Sequence, residues 1–371
     1  MTYKTYLVGG AVRDLYMRRN EEIKDRDFVV VGAKPEDLLA QGYEQVGKDF
    51  PVFLHPETRY EYALARVERK ISEGYHGFAC DVHGVSIEDD LERRDLTINS
   101  MAIDETSGNL IDPFNGIQDI RDRVLRHTSP AFAEDPLRVI RLARFAARFV
   151  DYGFSVAPET RDLAIQMVES GELQSISNER FWLEFEKAFS DHRPAHFIKT
   201  LSDFGVFSKV PYFTSLFGVL SETDLKRMMA FASAAKSTSA DAEAALTMFA
   251  GFFMKPNDVL KNTRVQRLCE ANTQYWSLHE DMNAENVVSL LSKMRAWGQL
   301  CEPFDDLLLV LSAFEKMVGD SGENRSSVLL KRCAQAGRAV YADMFPDVQG
   351  PALGQAMKAA REDAIKLILK K

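Results

Sequence analysis

The 371-residue chain has few cysteines and no long apolar run. Its four cysteines, Cys80, Cys269, Cys301 and Cys333, form no CxxC pair, so we expect neither a zinc site nor a disulfide framework. No stretch approaches the roughly 18 uninterrupted apolar residues of a transmembrane helix, and the first apolar run is too short for a secretory signal. We therefore expect a cytoplasmic protein with no membrane contact.

The chain also lacks an excess of positive charge, since 46 Lys and Arg stand against 55 Asp and Glu, a net charge of −9. This balance argues against indiscriminate nucleic-acid binding, but an enzyme acting on nucleic acid needs only a local basic surface. Residues 121–150 supply one, with seven arginines against three carboxylates. The 46% hydrophobic and 27% charged content is ordinary for a globular protein, and the length predicts two to three domains.

Strand-like patterns precede helical ones along the chain. Short β-rich runs cover residues 6–8, 28–31, 51–54, 60–65 and 110–112. Helical patterns cover residues 135–150, 158–170, 179–189, 194–204, 221–235, 240–254, 284–297, 301–318, 326–345 and 354–371. Residues 66–86 are rich in glycine and are predicted to form a mobile loop, and residues 230–245 to form two helices and a loop. This order predicts an α+β fold, a small sheet domain followed by a helical remainder.

A strand running into Gly9-Gly10 and then a helix near Val12 is the first chemical signal. Glycines let the backbone approach an anion closely, and the N–H groups that open a helix point toward it, while Arg13 adds a charge. Taken alone, a glycine pair after a strand is more often an ordinary tight turn. It indicates a phosphate site only if acidic residues for a metal lie nearby.

Fifteen positions after Gly10 comes Asp25-Arg26-Asp27, followed by an apolar run. On a strand, Asp25 and Asp27 project from the same face, about 6–7 Å apart at Cα. Two carboxylates so placed can bridge divalent cations about 3.5–4 Å apart. An acidic strand start at a solvent edge is the plainer interpretation of an isolated pair, but the preceding Gly-Gly turn favours a phosphate cradle beside a metal-binding pair.

The chain resembles the class II CCA-adding enzymes, which are tRNA nucleotidyltransferases related to bacterial poly(A) polymerases. The motifs that carry the resemblance, in chain order, are residues 7–14 (LVGGAVRD), 25–27 (DRD), 61–66 (EYALAR), 93–102 (RRDLTINSMA), 112–116 (DPFNG) and 134–145 (EDPLRVIRLARF). The resemblance implies a polymerase beta-like nucleotidyltransferase head with a mixed sheet over residues 1–128. It further implies an α-helical neck over 129–220 and an α-helical, tRNA-binding body and tail over 221–371.

The resemblance also implies the activity, which is untemplated addition of C, C and A to the tRNA 3′ end from CTP and ATP, with release of pyrophosphate. Asp25 and Asp27 would be the catalytic carboxylates that hold Mg²⁺. Gly9, Gly10 and Arg13 would belong to the nucleotide site. In the 93–102 motif, Arg94 resembles a ligand of the nucleotide phosphate or ribose, with Asp95 as its partner. Without the resemblance, a salt-bridged helix turn is the favoured interpretation, in which Arg93 and Arg94 pair with the preceding acidic run of Glu88, Asp89, Asp90 and Glu92.

The helix predicted from Asp135 carries the strongest single pattern. At about 100° per residue, Arg138, Arg141, Arg144 and Arg148 lie on one side and the apolar residues on the other. Four arginines without interleaved acids repel one another, which favours an anionic ligand over a merely solvated face. By resemblance, Asp135 and Arg138 hydrogen-bond the base edge of CTP or ATP, and Arg141 and Arg144 bind the triphosphate.

Two features depart from the family pattern. The segment 18–22 is slightly long and lacks the usual glycine, and no His-Asp dipeptide occurs, so we expect no HD phosphohydrolase domain. The alternatives are a poly(A) polymerase, a CC-adding or A-adding specialist, or a non-catalytic RNA-binding relative that kept the fold. The intact Asp25 and Asp27 argue against the last of these.

Overall fold

The computed structural model describes residues 3–17, 26–46, 52–70, 78–81, 84–191, 193–239, 241–255, 263–278, 282–298, 301–322 and 325–370. The chain divides into two compact units, Met1–Phe181 and Trp182–Lys371. The division falls inside the segment predicted as the neck. No described helix has both the length and the apolarity needed to cross a membrane.

The first unit is built on a mixed sheet of seven described strands. Its strands, in spatial order, are β3 (Glu44–Val46), β4 (Val52–Leu54), β5 (Glu61–Leu64), β2 (Asp27–Val31), β1 (Lys4–Val8), β8 (Ala102–Asp104) and β9 (Leu110–Ile111). β2 runs parallel to β5, and the other neighbouring pairs are antiparallel. The mixed sheet confirms the predicted α+β class for this part of the chain.

Alternation along β1 and β2 places the core on both faces of the sheet. Tyr6 and Val8 pack on one face with the helix Ile87–Glu92. Leu7 and Phe28 pack on the other face with the helix Gly10–Tyr16. Successive residues of a strand point to opposite faces, so a strand buried on both sides is apolar throughout. This explains why the unbroken apolar run after Asp27 forms a central strand.

The segment predicted as a glycine-rich loop contains two strands. β6 (Val67–Lys70) and β7 (Phe78–Asp81) pair antiparallel as a separate two-stranded sheet. The prediction of a loop over 66–86 is therefore wrong for these eight residues, because the pairing between the strands, rather than local sequence, orders them. Residues 71–77 and 82–83 lie outside the described residues.

Helices fill the rest of the first unit. They are α1 (Gly10–Tyr16), α2 (Pro35–Leu39), α3 (Ile87–Glu92), α4 (Gly116–Asp122), α5 (Leu137–Phe149), α6 (Pro158–Glu169) and α7 (Asn178–Ser190), the last of which crosses into the second unit. Two short strands, β10 (Val124–Leu125) and β11 (Ser155–Val156), pair in parallel. Short 3₁₀ turns lie at Thr97–Asn99 and Pro130–Glu134.

The helix predicted from Asp135 begins two residues later than expected. Asp135 is extended, with φ −115° and ψ 104°, and α5 begins at Leu137. Pro136 causes the difference, because a proline disfavours helical backbone at the residue before it. Asp135 therefore precedes the helix, where its carboxylate accepts a hydrogen bond from the Leu137 N–H at 3.1 Å.

The second unit is helical over its described residues. Its helices are α8 (Pro194–Asp203), α9 (Val206–Lys209), α10 (Pro211–Phe217), α11 (Glu222–Thr238), α12 (Ala242–Phe253), α13 (Thr263–Leu278), α14 (Ala284–Lys293), α15 (Glu302–Val318), α16 (Ser326–Arg338) and α17 (Pro351–Leu369). The alanine- and serine-rich stretch forms two helices and a loop, as predicted. α13 was not predicted, and α16 ends before the predicted residue 345.

Candidate active site

The Gly9-Gly10 turn joins the end of β1 to the start of α1. Gly9 has φ +68°, a left-handed conformation that favours glycine. A Cβ at Gly9 would lie 3.1 Å from Nη1 of Arg94, closer than an ordinary contact, so the guanidinium would have to shift by a few tenths of an ångström. Gly9 and Arg94, which stand 85 positions apart in the sequence, are thus neighbours. The glycine permits both the turn and the close approach of the guanidinium.

Arg13 is buried beneath this turn rather than exposed beside it. Only 3% of the residue is accessible. Its Nη1 donates to Oδ1 of Asn99 at 2.6 Å, its Nε donates to Asp14 at 2.9 Å, and its guanidinium lies 5.0 Å from the Phe149 ring centre. Burial lowers the pKa of the guanidinium, and the charge of Asp14 opposes that shift. Arg13 therefore supports the turn from inside the unit.

Strand pairing brings Asp27 to the same turn. In the β1–β2 register, Asp27 lies opposite Val8, the residue immediately before Gly9. In the β2–β5 register it lies beside Glu61, and both residues are exposed. Asp25, the other predicted metal ligand, lies outside the described residues. Among the residues described, no group of three or more His, Cys, Asp or Glu side chains could hold a metal ion.

Arg94 pairs with a different acid from the one predicted. Its Nη2 lies 3.0 Å from Asp90, which is fully buried and also pairs with Arg93. Burial alone would raise the pKa of the Asp90 carboxyl, but the charges of Arg94 and Arg93 outweigh it and lower the pKa. Asp90 lies one helical turn before Arg94, within reach of its side chain, whereas the Asp95 carboxylate is bound by Asn99 and Arg141. The prediction of Asp95 as the partner of Arg94 is therefore corrected.

Asp95 instead joins the strand-rich part of the unit to α5. Its Oδ2 accepts from Nε and Nη2 of Arg141 at 3.0 and 2.8 Å, and its Oδ1 accepts from Nδ2 of Asn99 at 3.0 Å. Burial would raise the pKa of this carboxyl, but the charge of Arg141 and the hydrogen bond from Asn99 hold it well below its ordinary value. Asp95 thus stays ionised and fixes the orientation of Arg141.

Asp135 and Arg138, which are both predicted to bind the base, are each held in place by other residues of the protein. The Asp135 carboxylate accepts from Nη2 of Arg180 at 2.9 Å. The Arg138 guanidinium donates to the backbone carbonyls of Ala131 and Arg93. Both side chains are partly accessible, and these hydrogen bonds hold each of them in position.

The arginine side of α5 is not a solvated stripe. Arg144 is 7% exposed, and its guanidinium lies 4.4 Å from the Phe145 ring centre. Arg148 lies 5.7 Å from the Phe149 ring centre, and Arg141 is bound to Asp95. Aromatic faces and a carboxylate compensate these charges inside the unit, which the helical-wheel pattern alone did not reveal.

Two residues of this network were missed from the sequence: Asn99 and Arg180. Asn99 stands inside the 93–102 motif, so its position carried a signal. Asp90 belongs to the acidic run before Arg93 and Arg94, and its ion pairs confirm the alternative prediction of a salt-bridged helix turn. Arg180 lies 45 positions from Asp135 and no local pattern connects the two.

Two family models match the chain. Residues 5–126 match the poly A polymerase head domain, and residues 153–217 match the "Probable RNA and SrmB- binding site of polymerase A". A multifunctional CCA protein of Pasteurella multocida is 43% identical over 352 residues, covering 84% of this chain and 83% of that relative. Another, from Pseudoalteromonas atlantica, is 58% identical over 203 residues, which is 54% of this chain but only 49% of that relative. The alignment thus spans about half of this second relative.

Solved structures share the fold over nearly the whole chain. The CCA-adding enzyme of Bacillus stearothermophilus, in complex with CTP, is 25% identical with a TM-score of 0.65, covering 98% of this chain and 89% of that one. The Thermotoga maritima CCA-adding enzyme complexed with tRNA is 22% identical with a TM-score of 0.63, covering 99% and 91%. These likenesses confirm the predicted fold.

Proposed function

Because the chain belongs to the family of the multifunctional CCA proteins, we propose that it is a tRNA nucleotidyltransferase that adds C, C and A to the tRNA 3′ end from CTP and ATP. The observation that carries the proposal is the register of β1 and β2, which sets Asp27 opposite Val8 beside the Gly9-Gly10 turn. The carboxylate at the start of β2 thereby lies beside the glycine turn at the end of β1. A triphosphate bound at the turn would meet a metal held by the carboxylate.

Enzymes of this family generally depend on a divalent metal, and Mg²⁺ is the ion proposed here. Asp25 and Asp27 would hold it. The exposed carboxylate of Asp27, with Glu61 at the paired position of β5, fits the preference of Mg²⁺ for oxygen ligands. When bound, the metal supplies charge neutralisation of the phosphates and activation of the attacking hydroxyl. Base choice and triphosphate binding are assigned to the protein's own side chains.

Base choice is assigned to Asp135 and Arg138. An ionised carboxylate can only accept a hydrogen bond, so Asp135 favours the exocyclic amine that cytosine and adenine share. Arg138 donates to ring or carbonyl acceptors of the base. Its anchoring to the Ala131 and Arg93 carbonyls, and the anchoring of Asp135 by Arg180, hold the two groups in place. A rigid pair rejects UTP and GTP because its polar groups would be left unpaired.

The triphosphate is assigned to the guanidinium groups around the turn. Arg94 approaches Gly9, and Arg141 is oriented by Asp95. Both keep part of their surface accessible, with 20% and 32% side-chain exposure. Arg144 is proposed as a further phosphate ligand, acting from a more buried position. Arg13 is buried, so it would support the Gly9-Gly10 turn from inside the unit and would not contact the triphosphate directly.

The tRNA partner requires a second surface, and the helical unit offers one. A groove of about 660 Å³ lies between α13, the end of α14 and the start of α15, and is lined by Arg267, Lys293 and Arg295 with one acid, Glu270. Within the described part of the chain, none of the three cations forms an ion pair. Unpaired cations around a groove are suited to a phosphodiester backbone, even in a protein of net charge −9.

The test is nucleotide incorporation on three tRNA substrates, ending before the first C, after C and after CC. We expect addition of C, C and A in turn, and no further extension. Repeated A addition would identify a poly(A) polymerase, and addition on only some substrates would identify a CC-adding or A-adding specialist. Binding of tRNA without incorporation would indicate a non-catalytic relative. Since CTP, ATP and tRNA are the proposed substrates, we infer that the reaction takes place in the cytoplasm.

A further inference from the structure

A chain of buried polar groups runs between α1 and α5. Nη1 of Arg13 donates to Oδ1 of Asn99 at 2.6 Å, and Nδ2 of Asn99 donates to Oδ1 of Asp95 at 3.0 Å. Oδ2 of Asp95 then accepts from Arg141. Arg13 is 3% exposed, and Asn99 and Asp95 are each 7% exposed. Asn99 is therefore the neutral link between two charged groups that water scarcely reaches.

The partners of Asn99 determine which way its amide points. The carbonyl oxygen faces a guanidinium, which only donates, and the amino group faces a carboxylate, which only accepts when ionised. An amide supplies both functions in one planar group. A carboxylate would present an oxygen to Asp95, and an aliphatic side chain would leave both charged partners without a hydrogen bond in a buried place.

The backbone around Asn99 also fixes its position. It ends the 3₁₀ turn Thr97–Asn99, and its backbone N–H donates to the Leu96 carbonyl at 2.8 Å. Arg13, on the other side, curls beneath the Gly9-Gly10 turn, since a Cβ at Gly10 would lie 3.4 Å from its Nη2. The position of Asn99 is thus transmitted both to the turn and to Arg141.

We propose that Asn99 is a positioning residue of the nucleotide site, which holds Arg13 under the Gly9-Gly10 turn and Asp95 against Arg141. It acts through these neighbours, and so it sets the geometry of the triphosphate ligands without choosing the base. The inference rests on the proposed function, because it assumes that the turn and Arg141 bind the nucleotide. It extends that function by assigning a role to a residue that is not itself a proposed ligand.

The first experiment measures kcat and KM for CTP and ATP in Asn99→Asp, which keeps the size of the side chain and the oxygen facing Arg13. The change replaces the donor to Asp95 by an oxygen. We expect KM to rise by about tenfold to a hundredfold for both nucleotides in parallel, as for the loss of one buried hydrogen bond. The ratio of CTP to ATP use should not change. Asn109→Asp makes the same chemical change at an exposed position and should leave both constants unchanged.

The second experiment combines Asn99→Asp with Asp95→Asn, which exchanges the amide and the carboxylate. The exchange restores a donor and an acceptor between the two positions, so the double variant should recover part of the KM lost in Asn99→Asp, although Arg141 loses a charged partner. A purely structural role predicts lowered thermal stability with unchanged constants for the folded enzyme. Asn99→Ser, a smaller polar change, is measured beside them in case Asn99→Asp does not fold.

The results separate failure of the inference from failure of the proposed function. Wild-type KM for both nucleotides in the Asn99 variants, or a double variant with simply additive losses, would overturn the positioning role while leaving the enzyme assignment intact. If the wild-type protein incorporated neither CTP nor ATP into tRNA, the proposed function itself would fail.

Discussion

The two units of the chain stabilise themselves in different ways. In the first, buried charges join separate elements: Arg13, Asp90, Asp95 and Arg144 are all at most 7% exposed. In the second, aromatic rings dominate the interior, as where Phe252 stacks on Phe231 and on Phe314 with ring centres 4.4 and 5.4 Å apart. Buried charge is costly unless it is paired, whereas ring packing tolerates many arrangements.

The buried acids of the second unit sharpen the contrast. Asp306 binds Arg264 through two hydrogen bonds of 2.7 and 2.8 Å, and Glu315 accepts from the backbone N–H and the hydroxyl of Ser327. These contacts fasten helices together. The buried charges of the first unit instead converge on the Gly9-Gly10 turn and α5. Under the proposed function, the polar network of the first unit would position the nucleotide ligands as well as stabilise the unit, while the helical unit would offer its cation-lined groove to tRNA.

The largest effect is expected at the carboxylate beside the turn. Asp27→Ala should lower incorporation of both CTP and ATP by about 10³-fold or more without unfolding the protein, because both additions would use one metal site. Asp25→Ala should do the same. Asp122→Ala, which removes an exposed carboxylate of the same unit, is the control. Substantial activity in either variant would refute the metal assignment.

The next effect concerns stability and tests whether the first unit depends on its buried charges. Asp95→Asn should cost about 3–5 kcal/mol, because Arg141 would lose its buried ionised partner. The pKa of Asp95 is lowered in the folded state, so its contribution is complete above the ordinary aspartate pKa of about 4 and is lost as the pH falls further. Thermal unfolding of wild type and variant should therefore differ most above about pH 4 and converge below it. A constant difference at every pH would contradict this.

A smaller effect separates base choice from phosphate binding on α5. Asp135→Ala should relax discrimination against UTP by about tenfold to a hundredfold, because the acceptor for the exocyclic amine is removed. Arg141→Ala should lower kcat/KM for CTP and ATP in parallel. The measurement is kcat/KM for all four nucleotides in each variant. Unchanged nucleotide ratios in Asp135→Ala would mean that base choice is made elsewhere.

The smallest effect is expected in the helical unit. Reversing the charge of Arg267, Lys293 or Arg295 to Glu should weaken tRNA binding and reduce the slope of log K against log salt by about one per lost phosphate contact. KM for CTP should not change, because the groove is assigned to RNA alone. Lys226→Glu, at an exposed cation already paired with Glu222, is the matched control. Equal salt slopes in all variants would exclude this groove as the RNA surface.

Much of the fold followed from local patterns, and the exceptions have physical causes. The runs at β1, β2, β4 and β5 are rich in apolar, aromatic or β-branched residues, which predict strands. β6 and β7 were not predicted, because a two-stranded pair depends on its partner for stability. α13 carries a weaker pattern, with polar residues distributed among its buried ones. α5 begins later than predicted because Pro136 disfavours helical backbone at Asp135, an effect that the helical-wheel pattern does not include.

The sequence by itself determined the order of strands and helices, the Gly9-Gly10 turn, the motif set and hence the family, because these depend on spacing along the chain. Only the tertiary structure decided the pairing of charges that are distant in sequence: Asp95 with Arg141, and Asp135 with Arg180. The reason is that a buried charge must find a partner wherever the fold brings one close, and folding joins residues that stand up to 46 positions apart in these pairs. Side-chain chemistry could be anticipated from the residue types, but its partners could not.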